Sequence, residues 1–201
     1  MASGLLKRRI RDTRVVAFAV IGLLFVSEPA WGEQTLVHEP IEYLGYGLVV
    51  ACVIGRIWCS TFIGGYKNER VIDTGPFSIV RNPLYVFSFL GVVGIGLMTV
   101  RLSIIAILVA AFASYYRQVV WREEAYLREK FGAAYEAYSR RVPRWLPRLR
   151  DYRSDEETVT RPQFVLRTIR DSVWFFVALP AIEAIEYVQG AGWLKPLFWL
   201  P

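Results

Sequence analysis

Two short stretches of this sequence hold side chains able to do chemistry. In GPFSIVRNPLYV, residues 75–86, the groups Arg81, Asn82 and Tyr85 stand around Pro83, where an apolar run begins. Proline lacks a backbone donor but suits the first turn of a helix. Asn82 is then the natural N-cap. The free N–H groups of such a helix start, with Arg81 alongside, form an anion site at a membrane surface. Equally, Asn82 can simply cap the helix while Arg81 serves as a positively charged anchor. The second stretch is Arg122-Glu123-Glu124, where a later apolar run ends. Adjacent helical residues point about 100° apart, so only one of the two carboxylates can face a given pocket. Glu123 shares the face of Leu127, Phe131 and Tyr135 and is expected to point inward, able to accept hydrogen bonds from a ribose or an amino group. Glu124 is expected to turn away, toward an i,i+4 pair with Arg128. A solvated helix start for both is the plainer reading.

GVVGIG, residues 91–96, imitates a dinucleotide-binding glycine loop. It lies inside an apolar run rather than between a strand and a helix, so it fails the context that motif requires. Small residues that let two helices approach closely, or a backbone groove for a flat ligand, are the readings left open.

The elements that must position these groups are membrane helices. Of the 201 residues, 54% are hydrophobic, and the charged residues cluster between long apolar segments. An all-α bundle of about five transmembrane helices follows, as one integral-membrane domain over residues 1–201. The net charge of +6 sits in loops on one side, which is the positive-inside bias. It suits anionic lipid headgroups and not nucleic acid. Cys52 and Cys59 lie in one apolar segment, about 10 Å apart along a helix axis. That is too far for a disulfide, so they read as buried small hydrophobes. His38 is the one histidine, and no zinc-ligand spacing occurs, so neither a metal nor a histidine base is expected.

Lys7, Arg8, Arg9, Arg11 and Arg14 precede the first apolar run, Val15–Val26. The pattern also resembles a signal peptide, but the run can extend to Trp31 as an uncleaved first span. Residues 27–41 carry Glu28, Glu33 and Glu39 without Lys or Arg and read as outside. A second helix is expected from Pro40 to Ile63, with Arg56 snorkelling toward its inner end. Lys67, Arg70 and Arg81 place the following polar loop inside. Helices over Leu84–Val100 and Leu102–Val120 form an antiparallel hairpin, with Arg101 at its outer tip as a small violation of the charge bias. Residues 117–170 hold 13 Lys or Arg and read as cytoplasmic. They begin with a helix, REEAYLREKFGAAYEAYSRR, whose Leu127, Phe131, Tyr135 and Tyr138 make one apolar stripe. Residues 151–162 read as a solvated linker, and Ser172–Val188 as a fifth span or an interfacial segment burdened by Glu183 and Glu186.

Taken together, GPFSIVRNPLYV, the hairpin and EEAYLREKFGAAYEAYSRRVPRWLP resemble the isoprenylcysteine carboxyl methyltransferase family. The related phospholipid N-methyltransferases share much of the pattern. The likeness covers about residues 64–148. It implies a methyltransferase core there that uses S-adenosyl-L-methionine without a Rossmann fold. The active site and the N-terminus would be on the cytoplasmic side, and a lipid or isoprenoid-linked acceptor would arrive from the bilayer. Carboxyl O-methylation and amine N-methylation both fit. Carried over by position, Glu69, Arg70, Val71 and Ile72 match the family's loop along the cofactor. Phe77 stands where a tyrosine is usual. Arg81, Asn82, Pro83, Leu84 and Tyr85 match a cofactor motif that often reads Arg-His-Pro-x-Tyr. Glu123 matches a cofactor-binding glutamate, and Gly94 and Gly96 match the glycines of the phospholipid branch. Glu124 is the carboxylate able to take a proton from an amine acceptor. The substrate-contacting arginine of the carboxyl branch falls on Val119, with Arg117 and Arg122 close by. A sterol-reductase-like enzyme using NADPH, which shares the Arg-His-Pro-x-Tyr element, and a non-enzymatic membrane scaffold are the alternatives.

Overall fold

The computed structural model describes residues 15, 19–30, 38–64, 66, 69–155, 157–193 and 196–200. The N-terminal arginines and lysine, Trp31, Glu33 and Lys67 lie outside the described residues, and so do the expectations placed on them. Among the described residues the architecture is all-α apart from one pair of three-residue strands. In chain order it runs α1 (19–26), β1 (Ser27–Pro29), α2 (His38–Ile63), α3 (Pro76–Ile79), α4 (Pro83–Met98), α5 (Leu102–Phe131), α6 (Ala133–Arg141), a 3-10 turn (Leu149–Asp151), α7 (Pro162–Gly190) and β2 (Phe198–Leu200).

Among the described residues, α2 and α5 are long and apolar enough to cross a membrane, and α4 is a shorter apolar helix. The densest contact in the bundle is α2 on α4. Glycine makes it possible. A Cβ on Gly45 would meet the Gly94 carbonyl at 2.7 Å, and one on Gly94 would meet the Gly45 carbonyl at 2.7 Å. Each is shorter than any real contact, so the backbones touch here because neither residue has a side chain. The GVVGIG stretch is therefore a helix-packing surface. Around this crossing Val20, Leu24, Val49, Met98, Ile104, Ile182 and Ile185 form the apolar core.

The hairpin of α4 and α5 forms as expected, but α5 does not stop at residue 120. It continues without a break to Phe131. Gly132, at φ 50°, then ends α5 and opens α6. The basic segment is thus two helices rather than one. Tyr135 and Tyr138 leave the stripe shared by Leu127 and Phe131 and turn onto a separate axis. They still meet those residues, because α6 folds back to pack Tyr135, Tyr138 and Val142 against Val71, Leu127 and Phe131.

α7 runs antiparallel along α2. Its Ser172 meets Arg56 near the end of α2, and its Glu183 meets Tyr46 close to the start. Residues 151–162 are not a free linker. The amide of Gly75 donates to Arg153 O at 2.6 Å, Thr160 Oγ1 donates to Thr61 O at 2.7 Å, and Arg161 pairs with Glu69 at 3.2 Å. The segment is strapped across the loop that leads into α4.

Polar groups that looked misplaced in the sequence are paired at the far end of the bundle. Arg101 is fully buried rather than exposed at a tip. It donates to Thr99 O at 2.8 Å and Ser27 O at 3.0 Å, with Glu186 at 3.7 Å. Glu183 accepts from the Tyr46 hydroxyl at 2.8 Å. Glu186 is thus half-buried beside Arg101, while Glu183 stays exposed with Tyr46 as its partner. Gln189 donates to Leu24 O and Ser27 O at 2.8 and 3.1 Å. Beside it β1 and β2 pair in parallel, Ser27 opposite Phe198.

Candidate active site

At the opposite end, α2, α4, the start of α7 and the α5–α6 corner enclose a cavity of about 390 Å³. Its polar rim is assembled from the segment 81–85. Arg81 precedes the helix, and its main-chain amide donates to Pro143 O at 2.8 Å while its Nε donates to Val142 O at 2.8 Å. The residues after α6 are thereby tied to the start of α4. Asn82 occupies the N-cap position, yet its side chain makes no capping bond. It is buried and donates instead to Glu124 Oε1 at 3.4 Å and Arg144 O at 3.3 Å. The capping role expected of it is taken by its backbone carbonyl alone, which accepts from the Tyr85 and Val86 amides at 3.1 Å each.

Tyr85, one turn into α4, donates its hydroxyl to Glu123 Oε2 at 2.8 Å. Its ring packs on Tyr116, with centroids 5.0 Å apart. This fixes the Glu123 carboxylate at the cavity wall. Of the residues singled out from the sequence, Arg70, Val71, Ile72, Phe77, Arg81, Asn82, Pro83, Leu84, Tyr85 and Glu123 all line the cavity. Arg70 lies over the Tyr66 ring, 3.8 Å from its centroid.

Glu69 is not among the lining residues and is held at the surface by Arg161. Gly94 and Gly96 do not line the cavity either. They pack against α2 and against Ile105 of α5. Arg117 and Arg122 are exposed on α5, away from it. Glu123 faces inward as expected, but the orientation of Glu124 needs correcting. Glu124 does not turn to solvent beside Arg128 but is buried, 3% exposed. Arg144 clamps its two oxygens at 3.0 and 2.6 Å, and Arg81 reaches them at 3.4 and 3.5 Å. Two guanidinium groups hold this carboxylate in place behind the wall. It is a brace for Arg81, Asn82 and Arg144, not a proton acceptor open to a ligand.

Several lining residues have no forerunner in the sequence reading as site residues. Arg56 and Ser60 come from α2; Phe164, Arg167, Thr168 and Asp171 come from the first turns of α7. Tyr135 and Tyr138 complete the wall. The Tyr138 hydroxyl donates to Phe77 O at 2.9 Å. Burial pushes the Tyr138 phenol far up. It also pushes Tyr135 up to about 12, with the nearby Glu124 charge acting in the same direction. Glu124 in turn raises the Arg144 guanidinium above its ordinary value. The two phenols stay neutral and the Arg144 guanidinium stays charged at physiological pH. One signal for Arg144 was present in the sequence: it lies in the RRVPRWLP stretch, next to Pro143.

The cavity size suits a nucleoside-sized ligand. A fixed carboxylate can take ribose hydroxyls or an ammonium group. Cations stand ready for a carboxylate, and Val71, Ile72, Phe77 and Leu127 offer apolar faces to a flat ring. These residues fit S-adenosylmethionine.

The phospholipid methyltransferase family model matches residues 43–134, the span that contains Tyr85, Glu123 and the hairpin between them. Over 99% of the chain and 92% of the relative, the sequence is 35% identical to the nickel-cobalt-cadmium resistance protein NccN of Alcaligenes xylosoxydans xylosoxydans. It is also 35% identical to the cobalt-zinc-cadmium resistance protein CzcN of Cupriavidus metallidurans, over 98% of the chain and 90% of the relative. Protein-S-isoprenylcysteine O-methyltransferase of Schizosaccharomyces pombe is 28% identical over 81 residues, 40% of the chain and 34% of that enzyme. No solved structure matches the chain.

Proposed function

We propose that this chain, which belongs to the family of phospholipid and isoprenylcysteine carboxyl methyltransferases, binds S-adenosylmethionine in the cavity at the start of α4 and methylates a lipid or isoprenoid-linked acceptor. The observation that carries the reading is the Tyr85–Glu123 hydrogen bond at 2.8 Å. It joins the two halves of the family pattern across the hairpin, on the wall of the one polar cavity described above. S-adenosylmethionine supplies a methyl group already activated by its sulfonium, so the protein's part is to position it and exclude water. Glu123 and Arg70 would hold its polar ends, and Phe77 with Val71 and Ile72 its ring. Glu124 fixes the geometry of Arg81 and Asn82 from behind.

The same reading has five membrane spans, with the cavity on the cytoplasmic side. The parallel pairing of β1 with β2 supports the odd number, because α1 and α7 then end on the same side. The contacts of α7 with α2 at both Tyr46 and Arg56 support α7 as a span. Resistance to metals, which the names of two relatives carry, would be reached through the methylated membrane component. Among the described residues no three His, Cys, Asp or Glu stand together in a way that could hold a metal ion.

The test is calorimetric titration of the purified protein with S-adenosylmethionine and, in parallel, NADPH, for wild type and Glu123→Ala. Binding of the first alone, lost in the variant, is expected. Binding of NADPH alone would move the protein to a reductase, and binding of neither would leave a membrane scaffold.

A further inference from the structure

A second hollow, of about 490 Å³, lies at the same end of the bundle as the candidate active site. Its floor is Trp58 of α2 with Val86, Phe87 and Leu90 of α4, and Pro147, Leu149 and Tyr152 stand at its rim. None of the residues that line it is charged, and Pro83 is the one lining residue it shares with the cavity.

Helix geometry puts the two on different faces. Arg56 does not snorkel outward but faces the cavity, its Nη1 donating to Ser88 Oγ at 2.5 Å and its Nε to Ser172 Oγ at 3.2 Å. At about 100° per residue, Trp58 turns about 160° away from Arg56 on α2, and Phe87 turns about 160° away from Tyr85 on α4. The groove is thus the outer face of the α2–α4 pair. Trp58 stands five residues before the end of α2 at Ile63, so about 8 Å from it at 1.5 Å per residue. Trp and Tyr gather at that depth, where the bilayer meets water. The Trp58 ring meets Phe87 and Tyr152, with centroids 6.3 and 6.1 Å away.

The rim is held in place, because the Arg148 amide donates to Ile79 O at 3.0 Å and the 3-10 turn Leu149–Asp151 follows at once. Apolar and cationic residues alternate along it as Pro147, Arg148, Leu149 and Arg150. Leu146 is 81% exposed and Leu149 75%. Exposed apolar side chains set among cations mark a surface that lies in the headgroup layer. One carboxylate, Asp151, serves two guanidinium groups, at 3.7 Å from Arg148 and 3.8 Å from Arg150. One positive charge is left over at the mouth of an apolar groove. A phosphate carrying an acyl chain complements both, since guanidinium pairs well with phosphate and basic clusters beside membrane helices attract anionic lipids.

We propose that the groove binds one anionic phospholipid of the surrounding leaflet, with an acyl chain along Trp58, Phe87 and Leu90 and the phosphate at Arg148 and Arg150. The lipid is a fixed part of the fold and not a methyl acceptor, for it sits on the face of α2 and α4 turned away from the cavity. It fastens 147–152 onto the helix pair. The same stretch of chain carries Arg144, which clamps Glu124, so the lipid steadies the site from outside. The groove keeps this role whatever the cavity binds.

Native mass spectrometry of the delipidated full chain tests this, with phosphatidylglycerol, phosphatidylcholine and phosphatidylethanolamine of identical chains added in detergent. Wild type is expected to retain one phosphatidylglycerol about tenfold more strongly than either other lipid, the worth of a charge-assisted hydrogen bond. The double variant Arg148→Gln, Arg150→Gln loses the preference. Val86→Trp and, independently, Leu90→Trp fill the groove and lose the retained lipid. Phosphatidylglycerol is expected to raise the Tm of wild type but of none of these variants, and glycerol 3-phosphate, a headgroup without chains, to leave every Tm unchanged. Equal retention of the three lipids, an unaltered double variant, or groove variants that keep the lipid would each overturn the assignment. A Tm raised by glycerol 3-phosphate would reduce the site to a phosphate pocket. A dimer of the delipidated chain that Val86→Trp breaks apart would give the groove to a second copy instead.

Discussion

Glu124→Gln keeps the shape of the side chain and removes its charge. Two guanidinium groups then lose their common partner: Arg144, which clamps both oxygens at 3.0 and 2.6 Å, and Arg81 at 3.4 and 3.5 Å. Breaking a buried ion pair from one side costs about 3–5 kcal/mol. The Arg144 side chain is 37% exposed and that of Arg81 16%, so water takes up part of the stranded charge. The cost here falls to about 2–3 kcal/mol. For a chain of this size that lowers Tm by roughly 4–12 °C. The same change frees Asn82 and the Arg144 carbonyl it contacts, so S-adenosylmethionine affinity is expected to fall about tenfold, or 1.4 kcal/mol. Thermal melting in detergent reads the first effect and calorimetric titration the second. A double-mutant cycle with Arg144→Met should give a coupling of about 1 kcal/mol or more, since the pair is in direct contact. A Glu124→Gln melt within about 1 °C of wild type, or strict additivity with Arg144→Met, would refute the brace.

Tyr85→Phe removes the donor to Glu123 while leaving the ring on Tyr116. S-adenosylmethionine affinity is expected to drop about 3–10-fold, the worth of one such bond, with melting little changed. Gly94→Val pushes a side chain into the Gly45 carbonyl. It is expected to cost about 1–3 kcal/mol of stability, while the folded fraction binds S-adenosylmethionine within twofold of wild type. Melting and calorimetry together separate packing from cofactor contact. Tyr135 has its proton held more tightly in the folded state, up to about 12 against an ordinary value of 10.0. Its contribution to stability is therefore full below pH 10 and lost as pH rises from there through about 12. Tyr135→Phe should flatten that alkaline slope, read by melting at stepped pH, and remove one late phenolate from the ultraviolet titration.

The hairpin and the 81–85 segment were legible because their signals are local. Pro83 fixes a helix start and Arg101 interrupts two apolar runs, and both marks stand in the sequence itself. The inward turn of Glu123 was legible, but the place of Glu124 was not, for two reasons. The stripe from Leu127 to Tyr138 was read as one helix, but Gly132 breaks it at φ 50°, so Tyr135 says nothing about the face of Glu124. Glu124 is drawn inward by Arg81 and Arg144, whose meeting with it depends on how the segment after α6 folds back. Arg56 was misread for a similar reason. Snorkelling is the default for a lone cation near a helix end, and only the arrival of Ser88 and Ser172 from other helices turns it inward. Glu183, Glu186 and Arg101 are costly one at a time in the sequence and settle against partners brought by tertiary contact.

Closing the far end of this bundle is a late event in synthesis. β1 is made with α1, while its partner β2 follows α7, where the Leu197 amide reaches Val26 O and the Ala30 amide reaches Leu200 O, each at 2.8 Å. Contacts this distant in sequence form slowly. The residues that line the cavity lie no further along the chain than Asp171. A chain clipped after Gly190 would keep every residue that lines the cavity and carry an open strand edge at the other end. Cellular triage acts on such edges and on partly assembled chains, so loss of β2 is expected to show as lost abundance, with the cavity of the surviving molecules intact.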